Sequence, residues 1–267
     1  MKLLNGAELA GYIKERHAKQ VRQLRASKIF PKLAIVQVKD DPVINTYVRL
    51  KKQYGSDIGV EVDAYMQKQE HVPELLNKLS SDESVHGVIV QLPLSDPSQT
   101  DEIVNMVSPS KDVDALGEKS TFDPATPMAI LWLLSGYNVE LAGKNILLIG
   151  RGKLVGAPLE RILKGSGYNV SVIDRELDNL AEQTKQADII ITATGSPAVL
   201  YPDMIKEGAV VVDAGVASED GKTVGDLAPE VYERNDLIIT PPKGGVGPLT
   251  VCALFENVIR AAQNAKN

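Results

Sequence analysis

The sequence contains few of the residues that build disulfide frameworks or metal sites. Cys252 is the single cysteine in 267 residues, which excludes an intrachain disulfide framework and any multi-cysteine metal site. Only three histidines occur, and they lack the HExxH spacing of a zinc-binding helix. We therefore expect no metal centre.

Strongly basic runs and long apolar runs are also missing. The formal net charge is −6, which argues against nucleic acid or an anionic membrane as the main partner. No apolar run reaches the roughly 18 residues of a membrane span. Residues 1–17 are amphipathic and charged, unlike a secretory signal. These absences predict a soluble cytoplasmic protein.

The residues that are present predict two α/β domains. Apolar residues make up 43% of the chain and aromatic residues only 4%, so the core is aliphatic. Predicted strands and helices alternate, which favours parallel sheets with helices on both faces. The predicted strands are 33–38, 60–65, 87–94, 146–149, 169–173, 189–193, 209–213 and 237–239. The predicted helices are 8–27, 42–58, 72–80, 99–106, 127–135, a helix from 156, 177–186 and 249–263. We place the domain boundary near Ser120.

A glycine-rich turn at 145–158, NILLIGRGKLVGAP, is the most informative stretch. Gly150 permits a tight turn after an apolar strand, Gly152 lets backbone approach a pyrophosphate, and Gly156 lets helix and strand pack closely. The spacing is one residue longer than the commonest dinucleotide fingerprint. A strand–helix turn in another kind of α/β protein is the alternative.

Tyr47 and Lys51 lie four residues apart on the helix predicted over 42–58, so they share a face. A lysine beside a phenol can donate or accept a proton if its pKa is lowered. An ordinary solvated lysine is the alternative interpretation.

Three further stretches concentrate polar residues or glycine outside regular elements. Gln91 ends the apolar strand GVIVQLPL, where α/β folds bind ligands. Asp112 and Asp114 lie in the loop sequence KDVDA, and a carboxylate there could accept paired N–H groups from a heterocycle. The glycines of ITPPKGGVGPLT at 239–250 indicate close approach of backbone to a ligand. Solvated polar residues and an irregular helix entry are the corresponding alternatives.

Taken together and in order, these motifs resemble one family over nearly the whole chain. The matching segments are DDP with Tyr47 and Lys51, GVIVQLPL, KDVD, the P-x-TP of 124–127, GRGKLVGAP, GAVVVDAGV, the VGD of 224–226 and GGVGPLT. The sequence is similar to bifunctional methylenetetrahydrofolate dehydrogenase/methenyltetrahydrofolate cyclohydrolases of the FolD type. The resemblance implies an enzyme of one-carbon metabolism that supplies purine biosynthesis and is usually a homodimer.

The resemblance also implies an assignment of domains. Residues 1–120 would form a folate-binding catalytic domain, and 121–248 would form a Rossmann dinucleotide-binding domain. The helix at 249–264 would pack back onto the first domain. The folate would lie in the cleft between the two.

Individual residues receive roles from the same resemblance. Lys51 would transfer protons and Gln91 would orient it. Tyr47 would pack against the folate ring, and Asp114 would hold the pterin N–H groups. Residues Gly244, Gly245 and Pro248 would also contact the folate. The nicotinamide cofactor would be held by Gly150, Arg151, Gly152, Gly156, Asp174, Arg175 and Val216.

The sequence departs from the family at several positions. The loop between Asp114 and Pro124 is shorter than usual, so a monofunctional dehydrogenase is one alternative. Another two-domain dehydrogenase and a non-catalytic folate- or nucleotide-binding protein are the others. Residues that differ from the usual family residue are Ala115, Ala125, Met128, Gly152, Asp174, Arg175 and Lys243.

The departures near the end of the second Rossmann strand bear on the choice between NADP and NAD. Asp174 follows Gly150 by 24 residues, close to where an acidic residue accepts from the ribose 2′-OH of NAD. Arg151 or Arg175 could instead grip the 2′-phosphate of NADP. The family's habit favours NADP, with NAD as the alternative cofactor.

Overall fold

Helices and strands alternate along the computed structural model, which describes residues 1–174, 179–219 and 222–265. The helices are α1 (Gly6–Ala26), α2 (Pro42–Ile58), α3 (Val72–Ser81), α4 (Thr100–Val104), α5 (Ala125–Gly136), α6 (Gly156–Gly165), α7 (Leu180–Gln186) and α8 (Val246–Asn264). The strands are β1 (Lys2–Leu3), β2 (Lys32–Gln37), β3 (Glu61–Met66), β4 (Gly87–Val90), β5 (Ile146–Ile149), β6 (Val170–Ile173), β7 (Ile189–Thr192), β8 (Val210–Asp213), β9 (Ala217–Glu219), β10 (Lys222–Val224) and β11 (Ile238–Ile239).

Two compact units share these elements, and each is built from two pieces of the chain. One unit comprises Gly11–Ala125 and the chain from Val251 on, and we call it the three-stranded unit. The other comprises Met1–Ala10 and Thr126–Thr250, and we call it the six-stranded unit. The division therefore falls inside α1 and α8, and α8 from Val251 on belongs to the three-stranded unit.

The three-stranded unit has a parallel sheet with the order β3-β2-β4. All four residues of β4 are buried, as are five of the six in β2, as expected for parallel strands covered on both faces. Helix α2 begins at a well-formed cap, because the Asp41 side chain accepts from the backbone N–H groups of Val43 and Ile44 over 2.8 and 3.1 Å. It ends at Gly59, whose φ of 85° suits glycine. This helix carries Tyr47 and Lys51.

The six-stranded unit has a parallel sheet with the order β1-β11-β8-β7-β5-β6. The central strands β5 and β7 are fully buried. The sheet is the doubly wound kind predicted from the sequence, and its strands β5 and β6 are in register at Ile149 and Ile173. Their carboxyl ends therefore meet at one edge, where such sheets bind ligands.

Several elements differ from the sequence-based prediction. The strand predicted over 87–94 ends at Val90, so Gln91 follows it. The last helix begins at Val246 rather than Leu249. Val246, Gly247 and Pro248 are all compatible with the first turn of a helix, so the helix starts three residues earlier than predicted. The antiparallel hairpin of β9 and β10 was not predicted, and neither was β1, since two or three residues carry no periodicity. The start predicted for α7 at Leu177 lies outside the described residues.

Candidate functional site

Lys51 and Gln91 are held together in the three-stranded unit. The Lys51 Nζ donates a hydrogen bond of 2.7 Å to the Gln91 Oε1. The backbone N–H of Gln91 donates to the carbonyl oxygen of Val36 over 2.8 Å, so the sheet fixes the glutamine just beyond β4. Tyr47 is half-buried one turn before Lys51 on α2. The structure thus joins two of the predicted catalytic residues directly.

Burial shifts the pKa values of the titratable groups among Lys51, Gln91, Tyr47 and Asp114, which we call the Lys51 cluster. It lowers the pKa of the Lys51 amine, while the Asp114 carboxylate acts on that pKa in the opposite direction. Burial likewise raises the pKa of Asp114, and Lys51 opposes that rise. Burial also raises the pKa of Tyr47, so its phenol stays neutral. The site therefore contains an amine that gives up a proton more readily than a solvated lysine does.

Asp112 forms hydrogen bonds with the short loop that follows Asp114 in the chain. The Asp112 side chain is buried and accepts from the backbone N–H of Gly117 over 2.8 Å. The Ser120 hydroxyl donates to the Asp112 carbonyl oxygen over 2.9 Å. Ala115 takes a φ of 56°, in the left-handed region where the family has glycine. Burial, with a contribution from Asp114, raises the pKa of Asp112 to about 6.

A cavity of about 490 Å³ lies beside this short loop, and Asp112, Gly117 and Ser120 are among its lining residues. The other lining residues are Glu118 and Lys119 of the same loop, and Asn105, Val107 and Pro109 from the chain after α4. The short loop therefore lines one side of this cavity.

The glycine turn in the six-stranded unit is close-packed at two of its glycines and open at the third. Gly150 has a φ of 98°, and a Cβ there would lie 2.5 Å from the Ala193 carbonyl oxygen. A Cβ on Gly156 would lie 2.1 Å from the carbonyl oxygen of Gly150. A Cβ on Gly152 would meet no heavy atom within 4 Å in the described part of the chain. Backbone is therefore tightly packed at Gly150 and Gly156 and open at Gly152, four residues before the start of α6.

Arg151 of this turn pairs with Glu160 of α6, a contact that the sequence did not reveal. The Arg151 Nε donates to the Glu160 Oε2 over 2.7 Å, and the Lys164 Nζ donates to the Glu160 Oε1 over 2.8 Å. Asp174 is exposed directly after β6. Arg175 lies outside the described residues.

Val216 is 52% exposed in the turn after β8, and two aspartates support that turn, the partly buried Asp213 and the buried Asp226. The Asp213 carboxylate accepts from the backbone N–H groups of Gly215 and Asp226, over 3.0 and 3.1 Å. The Asp226 carboxylate accepts from the N–H of Thr194 over 2.7 Å, and burial raises its pKa. Sequence reasoning assigned these two residues no role, although the VGD motif at 224–226 was the signal that could have found Asp226.

The glycines before α8 have a packing role within the six-stranded unit. The Ala7 N–H donates to the Gly244 carbonyl oxygen over 2.9 Å. A Cβ on Gly6 would lie 1.8 Å from the Gly245 carbonyl oxygen. Close packing of backbone against backbone therefore explains why some of the residues in this motif are glycines. Pro248 lies half-buried in the first turn of α8.

Among residues 1–174, 179–219 and 222–265, no group of three or more His, Cys, Asp or Glu side chains is arranged to hold a metal ion. Within the same residues, no helix combines the length and the apolar character needed to cross a membrane.

Two family models match the chain in succession. Residues 4–114 match the tetrahydrofolate dehydrogenase/cyclohydrolase catalytic domain. Residues 124–266 match the tetrahydrofolate dehydrogenase/cyclohydrolase NAD(P)-binding domain. The matched ranges contain the Lys51 cluster and the glycine turn respectively.

Relatives and solved structures are similar over their full length. The bifunctional protein FolD of Lactobacillus acidophilus is 38% identical over 272 residues, covering 97% of this chain and 96% of the relative. The crystal structure of the bifunctional enzyme FolD from Campylobacter jejuni has a TM-score of 0.92 and 37% identity, covering 99% of each chain. The Trypanosoma brucei FolD, complexed with NADP cofactor and inhibitor, has a TM-score of 0.92 and 27% identity, covering 99% of this chain and 98% of that one.

Proposed function

The chain belongs to the tetrahydrofolate dehydrogenase/cyclohydrolase family, and we propose that its Lys51 cluster performs the proton transfer of the hydrolytic step. The protein is a bifunctional enzyme of one-carbon metabolism. It oxidises 5,10-methylenetetrahydrofolate to the methenyl form and hydrolyses that product to 10-formyltetrahydrofolate.

The observation that carries the proposal is the hydrogen bond from the partly buried Lys51 to Gln91. In hydrolysis, water adds to the methenyl carbon, the bond from that carbon to N5 breaks, and one proton is released. A neutral Lys51 amine can take a proton from the attacking water. Lys51 donates a hydrogen bond to Gln91, which restrains the position of Nζ and the direction of its lone pair. General-base catalysis requires such positioning.

Substrate orientation is the role that we propose for the neighbours of Lys51. The Asp114 carboxylate accepts paired N–H groups of the pterin in a bidentate, charge-assisted arrangement. Tyr47 packs against the folate ring through its half-buried phenol. Gly244, Gly245 and Pro248 are proposed as further folate contacts on the strength of the family resemblance alone.

The glycine turn fits a nicotinamide dinucleotide, because backbone is exposed at Gly152 and close-packed at Gly150 and Gly156. When bound, the nicotinamide accepts the hydride that leaves the methylene bridge. Residues 150–156 would hold the pyrophosphate at the start of α6, and the turn at Val216 would line the nicotinamide. This step depends mainly on alignment, and well-oriented reactants can gain about 7–11 kcal/mol.

NADP is the cofactor that we propose for the dehydrogenase, with Arg151 and Arg175 as candidate ligands of the 2′-phosphate. Two observations support this choice: Arg151 lies in the phosphate turn, and the similar T. brucei protein was crystallised with NADP. Asp174 is the feature that opposes it, since an exposed carboxylate repels a phosphate.

The setting that we propose is a cytoplasmic homodimer whose formyl product supplies purine biosynthesis. The family resemblance supports these three points, and light scattering of the purified protein would test the dimer.

The deciding experiment is a spectrophotometric assay with methylenetetrahydrofolate, run separately with NAD and NADP. Reduced cofactor and methenyltetrahydrofolate are followed at separate wavelengths. We expect reduced cofactor to form with little accumulation of the methenyl product, because hydrolysis follows oxidation. Stoichiometric accumulation of methenyltetrahydrofolate would contradict the assignment of Lys51 as an active proton-transfer group.

A further inference from the structure

Glu160 is a buried carboxylate inside helix α6 that bonds two cations. Its residue surface is 9% exposed. It accepts from the Lys164 Nζ over 2.8 Å and from the Arg151 Nε over 2.7 Å. The hydrogen bonds from Lys164 and Arg151 lower the pKa of Glu160, so the side chain is anionic at neutral pH. A buried anion held in this way fixes the groups that bind it.

Arg151 lies where a Rossmann sheet distinguishes the two nicotinamide cofactors. Ile149 of β5 and Ile173 of β6 are paired in register. Arg151 is two residues beyond the first, and Asp174 is one residue beyond the second. The two side chains therefore leave neighbouring strands at the same edge, beside the position of the ribose 2′ substituent.

The hydrogen bond to Glu160 uses only one edge of the guanidinium. It engages Nε, whereas Nη1 and Nη2 form the opposite end of the planar fork. Among the described residues, Arg151 donates its side-chain hydrogen bond from Nε. The Nη edge can therefore bind a phosphate in a bidentate way while Nε stays on Glu160.

Fixing a long side chain before a ligand arrives lowers the entropy cost of binding. Immobilising one such side chain costs roughly 0.5–1.5 kcal/mol, which corresponds to about a two- to twelvefold change in affinity. The local charge stays favourable to an anion, because Arg151 and Lys164 outnumber Glu160. Asp174 is the opposing charge across the edge.

We propose that Glu160 is a positioning residue that holds Arg151 ready for the 2′-phosphate and so sets the preference for NADP over NAD. The proposal rests on the proposed use of NADP. It assigns to Glu160 a selectivity role that ordinary helix patterning would not suggest.

The test compares the binding of adenosine 2′,5′-bisphosphate and of AMP by calorimetry, together with the Michaelis constants for NADP and NAD. Glu160→Met keeps length and helix propensity but removes the acceptor. We expect it to weaken bisphosphate binding roughly two- to twelvefold and to change AMP binding by less than about twofold. Glu160→Gln keeps an acceptor oxygen for Nε, and we expect it to retain most of the discrimination.

Two further variants separate positioning from simple charge or stability. Glu160→Asp keeps the charge but withdraws the carboxylate by one methylene, and we expect it to lose discrimination as Glu160→Met does; it serves if the methionine variant does not fold. Lys164→Gln removes the other cation on Glu160 and is the matched control. We expect it to leave the ratio of bisphosphate to AMP affinity within about twofold of the wild type.

A double-mutant cycle with Arg151→Met decides whether Glu160 acts through Arg151. We expect Glu160→Met to have no further effect on the affinity ratio once Arg151 is absent. An unchanged ratio in Arg151→Met would overturn the proposed guanidinium–phosphate contact and the Glu160 proposal together. If Arg151→Met lowers the ratio but Glu160→Met leaves or raises it, only the Glu160 proposal fails.

Discussion

The Nζ of Lys51 and the Oε1 of Gln91 are 2.7 Å apart, although one residue lies on α2 and the other follows β4. The contact ties the proton-transfer group to the sheet rather than to its own helix alone. Because the sheet position of Gln91 is fixed by backbone hydrogen bonding to Val36, small movements of α2 are restrained at the amine.

Replacing Lys51 by methionine should abolish the cyclohydrolase reaction while leaving cofactor binding nearly intact. The variant removes the proton acceptor but keeps the length of the side chain, and proton-transfer groups typically contribute about 10²–10⁴-fold to rate. Hydrolysis of methenyltetrahydrofolate, followed by its absorbance, gives the measurement. Lys52→Met is the control, since Lys52 is exposed. Hydrolysis at the wild-type rate in Lys51→Met would remove Lys51 from the mechanism.

Asp114→Ala should weaken folate binding roughly ten- to a hundredfold, because a hydrogen bond to a charged group contributes about 1.5–3 kcal/mol. Calorimetry with a folate ligand measures the change. The affinity for the nicotinamide cofactor, whose proposed turn is in the other unit, is the internal control. An unaltered folate affinity would place Asp114 outside the binding site.

Asp112→Asn should stabilise the protein more at pH 7.5 than at pH 4. In the folded protein the pKa of Asp112 is raised from 3.8 to about 6, so the folded state holds a proton that the unfolded state loses in this window. The free energy of unfolding of the wild type therefore falls as the pH rises from 3.8 to about 6. A shift of one pKa unit corresponds to about 1.4 kcal/mol, so the total loss is up to about 3 kcal/mol.

Urea unfolding of wild type and Asp112→Asn at both pH values measures the effect. The difference in unfolding free energy between the two proteins at pH 7.5 is compared with the same difference at pH 4. Asparagine can still accept from the Gly117 N–H, so the constant part of the substitution cancels. A pH-independent difference between the two proteins would show that Asp112 ionises normally in the fold.

Asp174→Ser should improve the use of NADP, because a carboxylate beside the ribose repels a 2′-phosphate whereas a hydroxyl can donate to it. We expect the Michaelis constant for NADP to fall relative to that for NAD. Arg175→Ala, at a residue known only from the sequence, should raise the constant for NADP more than for NAD. A wild type that uses NAD far better, with neither constant altered in Arg175→Ala, would contradict the preference for NADP.

The sequence predicted those parts of the site that depend on local geometry. Spacing of four residues placed Tyr47 and Lys51 on one helical face, and the Asp41–Pro42 cap and Gly59 set the ends of that helix. The end of an apolar run placed Gln91 at the edge of a sheet. Such features follow from backbone periods and capping chemistry within about 20 residues.

Contacts that depend on packing were beyond the reach of sequence patterns. The bond between Lys51 and Gln91 spans 40 residues and requires α2 to bring Lys51 to the end of β4. Glu160 is polar and follows an apolar leucine, so helical patterning predicts a solvated side chain, yet it is buried against Arg151 and Lys164. Asp112 gives no clear sequence signal of its buried state, since its neighbours in KDVDA are charged and apolar in equal number.

The pairing of β1 with β11 joins Lys2 to Ile238 and Leu3 to Ile239. During synthesis on the ribosome, the edge strand of the six-stranded sheet must therefore wait until almost the whole polypeptide has been translated before it can dock. The three-stranded unit must likewise wait for the part of α8 from Val251 on. Neither unit therefore corresponds to one uninterrupted segment of the chain, and each is completed only after most of the other has been synthesised.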